Sequence, residues 1–445
     1  MELSRRAVIT GAAALGAAAL GACSGSTQPT SSTSASGAGS GTPGADPTST
    51  AAPSSSASSA GLGVPIGDGS TTEQRPQPGL PPIHKLKPGE TPPQFVVISW
   101  DGAGNLASNQ LGRFRQVAQR TNAQMTLFLS GIYFLPEDKA TLYQPPGRKA
   151  GSSDIGFLTR QSCHRTIEGI GQAWLEGHEI GTHFNGHFCG PRGVSRWSVA
   201  DWKAEIAEAK KFVTTWRTTT RFTDLPPMPF DYEKELVGGR TPCLEGYHNL
   251  QIAATQLGWR YDSSHQRQHV WPTRLPGGLW DLSMTMAPLP GRSFPTIPMD
   301  YNYMVNQIGP NPSGGNPADR PRFQAQHRDS LVQGVQRSLR SNRAPFILGN
   351  HFEQWNGGIH MNAVEQAMDA YAAMPGVQMV TFRWLCDWME AQDPEVLRRL
   401  QALNVGEAPP GGWKTYLDPA APSASATSSA TSPAMPSATR TTTRA

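Results

Sequence analysis

The fold of this chain follows first from one short stretch of sequence, QFVVISWDG at residues 94–102. Its uncharged residues, rich in β-branched and aromatic side chains, are typical of a strand that is buried on both faces. The stretch ends at Asp101, which is followed by a glycine. Helical spacing at 107–121 and a second apolar run at 124–130 come next, so the chain begins as a parallel βα arrangement.

The same alternation continues along the chain. Further strands are predicted at 177–182, 236–240, 346–348 and 377–381, and helices at 167–175, 199–217, 249–257 and 363–373. Repeated βα units in one long segment favour an α/β barrel with its site at the C-terminal ends of the strands. The stretches 134–160 and 281–330 are rich in Pro and Gly and are predicted to be long rim loops.

Composition divides the chain of 445 residues into regions of different character. Residues 24–80 and 418–445 consist mainly of Ser, Thr, Ala, Gly and Pro, and we expect both to be disordered because they can bury little apolar surface. The folded domain is therefore predicted to span 81–417. The net charge of +4 comes without a basic block interleaved with aromatics, which argues against nucleic-acid binding.

The first 23 residues predict export and a membrane anchor. Arg5 and Arg6 precede a short Ala- and Gly-rich apolar run, which is typical of a signal peptide rather than of a spanning helix. The basic pair resembles a twin-arginine (Tat) signal, and LGAC at 20–23 resembles a bacterial lipobox, in which the cysteine is lipidated. We therefore expect an extracytoplasmic lipoprotein anchored through Cys23. The alternative is an ordinary cleaved signal with a chance cysteine.

Four cysteines remain after Cys23. An even number in an exported domain predicts two disulfides, and the absence of a CxxC pair argues against a cysteine-ligated zinc site. Cys189 and Cys243 each follow a strand expected at the site. We therefore favour the pairs Cys189–Cys243 and Cys163–Cys386.

Polar side chains at the strand ends predict a metal site. Asp101 ends the first strand, and His183 and His187 follow the strand at 177–182 with three residues between them. Two histidines at this spacing can converge on one ion, and a carboxylate from a neighbouring strand supplies a third ligand, which leaves positions open for water. The alternative is a pair of ordinary histidines on a polar loop.

Other motifs strengthen that prediction through a family resemblance. In chain order they are the end of the first strand at Asp101, HEIGTH at 178–183, GRTP at 239–242, WRYDSS at 259–264 and FILGNH at 346–351. Together they resemble the five motifs of the polysaccharide deacetylases, carbohydrate esterase family four, over residues 94–390. The YDSS sequence is similar to the chitin deacetylase branch.

The resemblance implies a distorted (β/α)7 barrel with a divalent ion, usually zinc, that polarises an acetyl carbonyl and activates water. Asp101, His183 and His187 would bind the ion. His351 would be the general acid, and Asp262 would orient it and raise its pKa.

The resemblance also assigns the surroundings of the reaction. Arg240 would hold the catalytic base, and the backbone N–H near Cys243 would help to bind the oxyanion. The aromatic residues Trp355, Tyr247 and Trp280 could stack on sugar rings, or could simply pack in the core or rim.

One position departs from the family pattern, which has a base and a metal ligand as adjacent aspartates. With Asp101 at the ligand position, Trp100 stands at the base position, and an indole cannot accept a proton from water. Asp154, Glu245 and Glu353 are candidate replacements, although each could be an ordinary surface acid.

Two functions follow from these alternatives. The first is a metal-dependent deacetylase of an acetylated polysaccharide, such as peptidoglycan, a chitin-like polymer or another glycan. The second is a catalytically inactive, metal-holding carbohydrate-binding lipoprotein.

Overall fold

The computed structural model describes residues 63–418. The signal peptide, the lipidation site at Cys23, most of the predicted linker and nearly all of the predicted tail lie outside the described residues. Within 63–418, no helix has the length and apolar character needed to cross a membrane.

The described residues form strands, α-helices and short 3₁₀ helices. Strands β1 to β13 are Pro65–Ile66, Thr71–Thr72, Gln94–Gly102, Thr126–Leu129, Glu179–Thr182, Tyr261–Asp262, Gln266–Arg267, Trp280–Asp281, Met284–Thr285, Ala287–Pro288, Pro295–Thr296, Phe346–His351 and Val377–Val380. Helices α1 to α12 are Gln110–Thr121, Arg160–Leu175, Val199–Thr214, Trp216–Thr220, Tyr232–Glu235, Tyr247–Gln256, Asp300–Ile308, Arg320–Leu339, Trp355–Ala372, Phe382–Ala391, Pro394–Ala402 and Gly412–Tyr416. The 3₁₀ helices are Gly131–Phe134, Glu137–Leu142, Val194–Arg196, Pro242–Leu244 and Pro317–Asp319.

The central stretch of the sequence forms the buried strand that its composition predicts. Strand β3 lies in a parallel sheet of order β12-β3-β4-β5, and β13 also pairs with β3. Strand β13 contacts the first half of β3, and β4 pairs with its last four residues, 99–102. The C-terminal ends of β3, β5 and β12 therefore meet at one rim, where the predicted site residues lie.

The rest of the barrel wall is held by isolated bridges rather than by long strands. Gly239 pairs with Thr182 of β5, and the Ser263 N–H donates to the Gly239 carbonyl at 3.0 Å. Strand β6 then pairs with β8, and Met299 pairs with Gly349 of β12. The distorted α/β barrel expected from the sequence is thus confirmed.

The strand predicted at 236–240 is reduced to that single bridge, and close packing explains why the segment is rich in glycine. A Cβ on Gly238 would lie 2.3 Å from the Tyr261 ring, and one on Gly239 would lie 2.5 Å from the Thr182 carbonyl oxygen. The neighbouring backbones can approach only because these two side chains are absent.

Two boundaries differ from the sequence prediction. Residues 63–80 pack on the domain, since the Trp216 indole donates to the Ser70 carbonyl at 2.8 Å and the Thr72 hydroxyl donates to the Met228 carbonyl at 3.0 Å. The stretch 281–330 is also no simple rim loop, because it contains α7 and the start of α8. Tertiary packing thus orders the end of a segment expected to be disordered and builds helices into a segment expected to be a loop.

One of the two predicted disulfides is present. Cys189 and Cys243 are bonded, whereas Cys163 and Cys386 are both free and buried, so the predicted Cys163–Cys386 bridge is wrong. Cys163 on α2 and Cys386 on α10 pack in two different hydrophobic clusters, which keeps their thiols apart.

Candidate active site

The centre of the rim is a buried ion pair between Asp101 and Arg240. The Arg240 Nη1 donates to Asp101 Oδ1 at 2.8 Å and to the Ser99 hydroxyl at 2.7 Å. Its Nε and Nη2 donate to the Ser263 carbonyl and hydroxyl. Burial raises the pKa of Asp101, but the nearby Arg240 and histidines outweigh burial and lower it below its usual range. Asp101 is therefore a carboxylate held in its ionised form.

Trp100 lies on the opposite face of the same strand. Side chains alternate along β3, so Ser99 and Asp101 face Arg240 while Trp100 faces outward. The indole stacks on Phe352 with ring centroids 4.3 Å apart and also contacts Phe114 at 4.2 Å. Trp100 is a core residue and is not at the site.

The carboxylate that pairs with Arg240 is the residue after Trp100. Arg240, which the family resemblance implies holds the catalytic base, is paired with Asp101 itself. Arg240 is therefore paired with a carboxylate, although Trp100 precedes Asp101 in the sequence. The next residue is Gly102, whose φ of 84° lies in the left-handed region.

The hydrogen bonding of His183 leaves its Nε2 available as a metal ligand. Its Nδ1 donates to the Arg240 carbonyl at 2.8 Å, which fixes the proton on Nδ1 and leaves the lone pair on Nε2. The Nε2 atom is buried and makes no hydrogen bond to the described residues. Burial lowers the pKa of His183, which favours the neutral form that metals require.

His187 lies beside His183, with the two ring centroids 5.0 Å apart. Burial lowers the pKa of His187 to about 3, so its ring is also neutral near pH 7. The pair thus offers two neutral imidazoles, a donor set that suits zinc and other divalent transition metals.

The predicted triad of Asp101, His183 and His187 is not drawn into one compact cluster. Among residues 63–418, only His187, Cys189 and Cys243 have three candidate ligand atoms within 4.8 Å of one another. Cys189 and Cys243 form a disulfide and offer no thiolate. The residues therefore fit a divalent ion through the two imidazoles, and the full triad stays a prediction.

His351 is paired with Asp300 rather than with Asp262. Asp300 Oδ1 accepts from the His351 Nδ1 at 2.8 Å, and Oδ2 accepts from the His351 backbone N–H at 2.7 Å. Burial lowers the pKa of His351, but the Asp300 carboxylate more than offsets this effect and raises it to about 9. His351 is thereby held as a protonated imidazolium.

Asp262 does not contact His351, so its predicted orienting role is corrected. Its carboxylate accepts from the Ser264 hydroxyl at 2.5 Å and from the Gln251 side chain at 2.8 Å. Because the Ser264 hydroxyl in turn accepts from the Thr241 N–H, these bonds brace the loop after Arg240. Burial raises the pKa of Asp262 to about 6.

Sequence reasoning missed Asp300 because it lies within 281–330, the stretch taken for a rim loop. A signal was present, since Ile297, Pro298 and Met299 form a short apolar run that ends at this acid. That arrangement repeats the one at Asp101, and the Met299–Gly349 bridge shows that the run ends beside β12.

The three acids proposed as replacement bases lie in different settings. Asp154 is exposed, and its backbone N–H donates to the Gly186 carbonyl. Glu245 accepts from the Gly190 N–H at 2.8 Å. Burial raises the pKa of Glu353, against an opposing effect of His351. Within residues 63–418, Arg240 forms its ion pair with Asp101 and with none of these three acids.

Trp355 and Tyr247, which the sequence suggested as sugar-stacking residues, each pack against another ring. Trp355 lies beside His351 with ring centroids 5.2 Å apart and contacts Tyr301 at 5.8 Å. Tyr247 stacks on His265 at 4.8 Å, close in sequence to the exposed disulfide residue Cys243. All four rings are at least partly exposed, so they can contact a ligand.

Trp280, by contrast, is a core residue. Its ring is buried, and its indole N–H donates to Glu390 at 2.9 Å. The idea that Trp280 stacks on sugars is therefore wrong.

Comparison with known proteins gives no match to a family model or to a curated protein. Solved structures do resemble the fold at low identity. A Pseudomonas aeruginosa PAO1 protein described as a probable polysaccharide deacetylase is 12% identical, with 67% of this chain and 91% of that chain covered and a TM-score of 0.41. The chitin deacetylase of Colletotrichum lindemuthianum is 14% identical over 70% and 95%, with a TM-score of 0.36. A Bacillus anthracis pseudoenzyme of carbohydrate esterase family four is 10% identical over 66% of each chain, with a TM-score of 0.35.

Proposed function

We propose that this protein is a hydrolase that removes acetyl groups from a polysaccharide. The observation that carries the proposal is a base and an acid held in opposite protonation states within one cluster. Arg240 keeps Asp101 ionised, and Asp300 keeps His351 protonated. Two titratable groups whose surroundings push their pKa values apart are the arrangement that acid–base hydrolysis requires.

Each residue then has a definite task. Asp101 takes a proton from the attacking water, and His351 gives a proton to the departing amine or alkoxide of the sugar. His183 and His187 would hold the divalent ion, most simply zinc. When bound, such an ion polarises the acetyl carbonyl and lowers the pKa of water.

The aromatic rings at the rim support a sugar polymer as the substrate. Trp355 lies beside His351 and contacts Tyr301, and Tyr247 stacks on His265. Apolar ring faces that are partly exposed can cover the C–H faces of pyranose units while the acetyl group enters between them.

A His183→Ala variant tests the proposal. The wild type should bind one equivalent of zinc and release acetate from chitin oligomers or acetylated xylan, and the variant should lose both properties because its buried ligand is gone. Zinc is measured by calorimetry and acetate by an enzymatic assay. His164→Ala, which removes a histidine on α2 that pairs with Asp224, should behave like the wild type. Retention of one zinc by His183→Ala would show that the ligands are wrong.

The alternative is an inactive protein that binds glycans, and one observation favours it. Gly102 stands in the second ligand position, and Asp101 is already engaged by Arg240. A site with two imidazoles could hold an ion too weakly for catalysis. Retained binding of chitin oligomers, with no acetate released by the wild type in excess zinc, would support this alternative.

We also propose that the protein is exported and held at the outer face of the cell membrane through a lipid on Cys23. The proposal rests on the lipobox-like sequence at 20–23 and the basic pair before it. Cys23→Ser should move the protein from the membrane fraction to the soluble fraction, because a single exported chain without acyl groups has no anchor. If the variant stays in the membrane fraction, the anchor lies elsewhere.

A further inference from the structure

The loop that joins His183 to His187 has a backbone that needs external support. Phe184 and His187 have φ values of 62° and 53°, in the left-handed region that side chains with a Cβ seldom adopt. Such conformations persist only where the surroundings fix them. The loop also sets the distance between the two imidazoles, so whatever fixes it also fixes the ion site.

Neighbouring segments supply that support through hydrogen bonds to the loop backbone. The Phe184 carbonyl accepts from the Gly131 N–H at 2.7 Å, and the Gly186 carbonyl accepts from the Asp154 N–H at 2.8 Å. The Gly186 N–H donates to the Tyr143 hydroxyl at 3.1 Å. The Phe184 N–H donates to the Thr182 hydroxyl of β5 at 2.9 Å, so Tyr143 is the side chain from outside β5 that accepts from a backbone N–H between the two histidines.

Behind Tyr143 lies a carboxylate whose position calls for an explanation. Glu205 on α3 is fully buried, and both of its oxygens lie close to the Tyr143 hydroxyl, at 2.8 and 2.9 Å. Among residues 63–418, no cation lies close enough to lower the pKa of Glu205, and burial raises this pKa to about 7. The Asn185 side chain also donates to the Glu205 carbonyl at 3.0 Å, so α3 contacts the loop twice. A buried acid without a cation is costly, and it is usually retained for a purpose.

We propose that Tyr143 and Glu205 are positioning residues that hold the His183–His187 loop in the geometry needed to bind a divalent ion. Glu205 fixes the direction of the Tyr143 hydroxyl, and the hydroxyl in turn fixes the Gly186 N–H. The proposal rests on the proposed function only for the ion at His183 and His187, and it does not depend on the reaction or the substrate.

The chain contains a matched control for this arrangement. At the start of β6, the Tyr261 hydroxyl donates to the buried Glu179 at 2.8 Å. This second Tyr–Glu pair lies at the opposite end of the strands, since Glu179 begins β5 and His183 follows its last residue. Removal of either tyrosine hydroxyl breaks a hydrogen bond to a buried carboxylate, but only the Tyr143 hydroxyl also accepts from the loop between the histidines.

Zinc affinity of the full domain, measured by competition with a chelating dye, tests the proposal. Tyr143→Phe should weaken zinc binding roughly 10–100-fold, as the loss of outer-shell partners typically does. Tyr261→Phe should leave the affinity unchanged, and both variants should show a lowered midpoint of thermal unfolding. Glu205→Asp, which shortens the carboxylate by one methylene, should weaken binding in the same direction, while Glu179→Asp should not.

If Tyr143→Phe does not fold, Glu205→Asp still tests the proposal, because it keeps the charge and nearly the same volume. The proposal would be overturned if Tyr143→Phe and Glu205→Asp bound zinc as tightly as Tyr261→Phe and Glu179→Asp. It would also be overturned if the wild type bound no zinc. Acetate release is not a readout, so a protein that binds zinc and lacks deacetylase activity would overturn the proposed function alone.

Discussion

Replacement of Trp100 by Asp is expected to destabilise the protein severely and to add no catalytic base. The indole is fully buried between Phe114 and Phe352, on the face of β3 that is turned away from Arg240. Loss of a buried Trp side chain typically costs about 3–5 kcal/mol, and an unpaired carboxylate in the same apolar space costs more. Since domains are stable by about 5–15 kcal/mol, most of the variant should be unfolded at 37 °C. Thermal unfolding monitored by circular dichroism measures this effect.

Gly102→Asp should be compared with Trp100→Asp, because it places the new carboxylate on the other side of Asp101, at the rim. A Cβ at this position would lie 3.4 Å from the Tyr133 ring, which is ordinary contact. The left-handed φ of 84° costs about 1–2 kcal/mol, and Asp tolerates this region better than most residues. The variant should fold and bind zinc more tightly than the wild type, because a third ligand joins His183 and His187. A stable Trp100→Asp protein with increased acetate release would show that the first motif is assigned wrongly.

Replacement of Asp300 by Asn should cause a large loss of activity and leave the fold intact. The Asp300 charge raises the pKa of His351 to about 9, and without it the value should return towards about 6.5. At pH 8 only about 3% of the acid would then be protonated, which predicts a loss of about 30-fold before any loss of orientation. The pH profile of acetate release should also change. The wild type loses activity as the pH rises through about 9, and the variant should lose it near pH 6.5.

Asp262→Asn is the matched control, because Asp262 is equally buried but contacts Ser264 and Gln251 instead of His351. The fall in acetate release of this variant at alkaline pH should match that of the wild type. If Asp262→Asn shifts the pH at which acetate release falls on the alkaline side and Asp300→Asn does not, the partner of His351 has been identified wrongly.

The sequence by itself determined the elements that rest on local pattern. The uncharged run at 94–100 predicts a buried strand. A short run of β-branched and aromatic residues suits a strand that is covered on both faces. Asp101, His183, Arg240 and His351 could be placed at one rim because parallel strands present their C-terminal ends together. The Cys189–Cys243 bridge followed from the same reasoning, since both cysteines come just after such ends.

Tertiary structure alone decided which side chains face each other. The direction of Trp100 depends on the pleat of β3 within the sheet, and a shift of one residue exchanges the core face for the site face. The partner of His351 depends on where the segment before α7 meets β12, a contact between residues 51 positions apart. Cys163 and Cys386 remain apart because two separate clusters bury them. Local pattern carries no information about such distant pairings, because they are fixed only when the whole barrel packs.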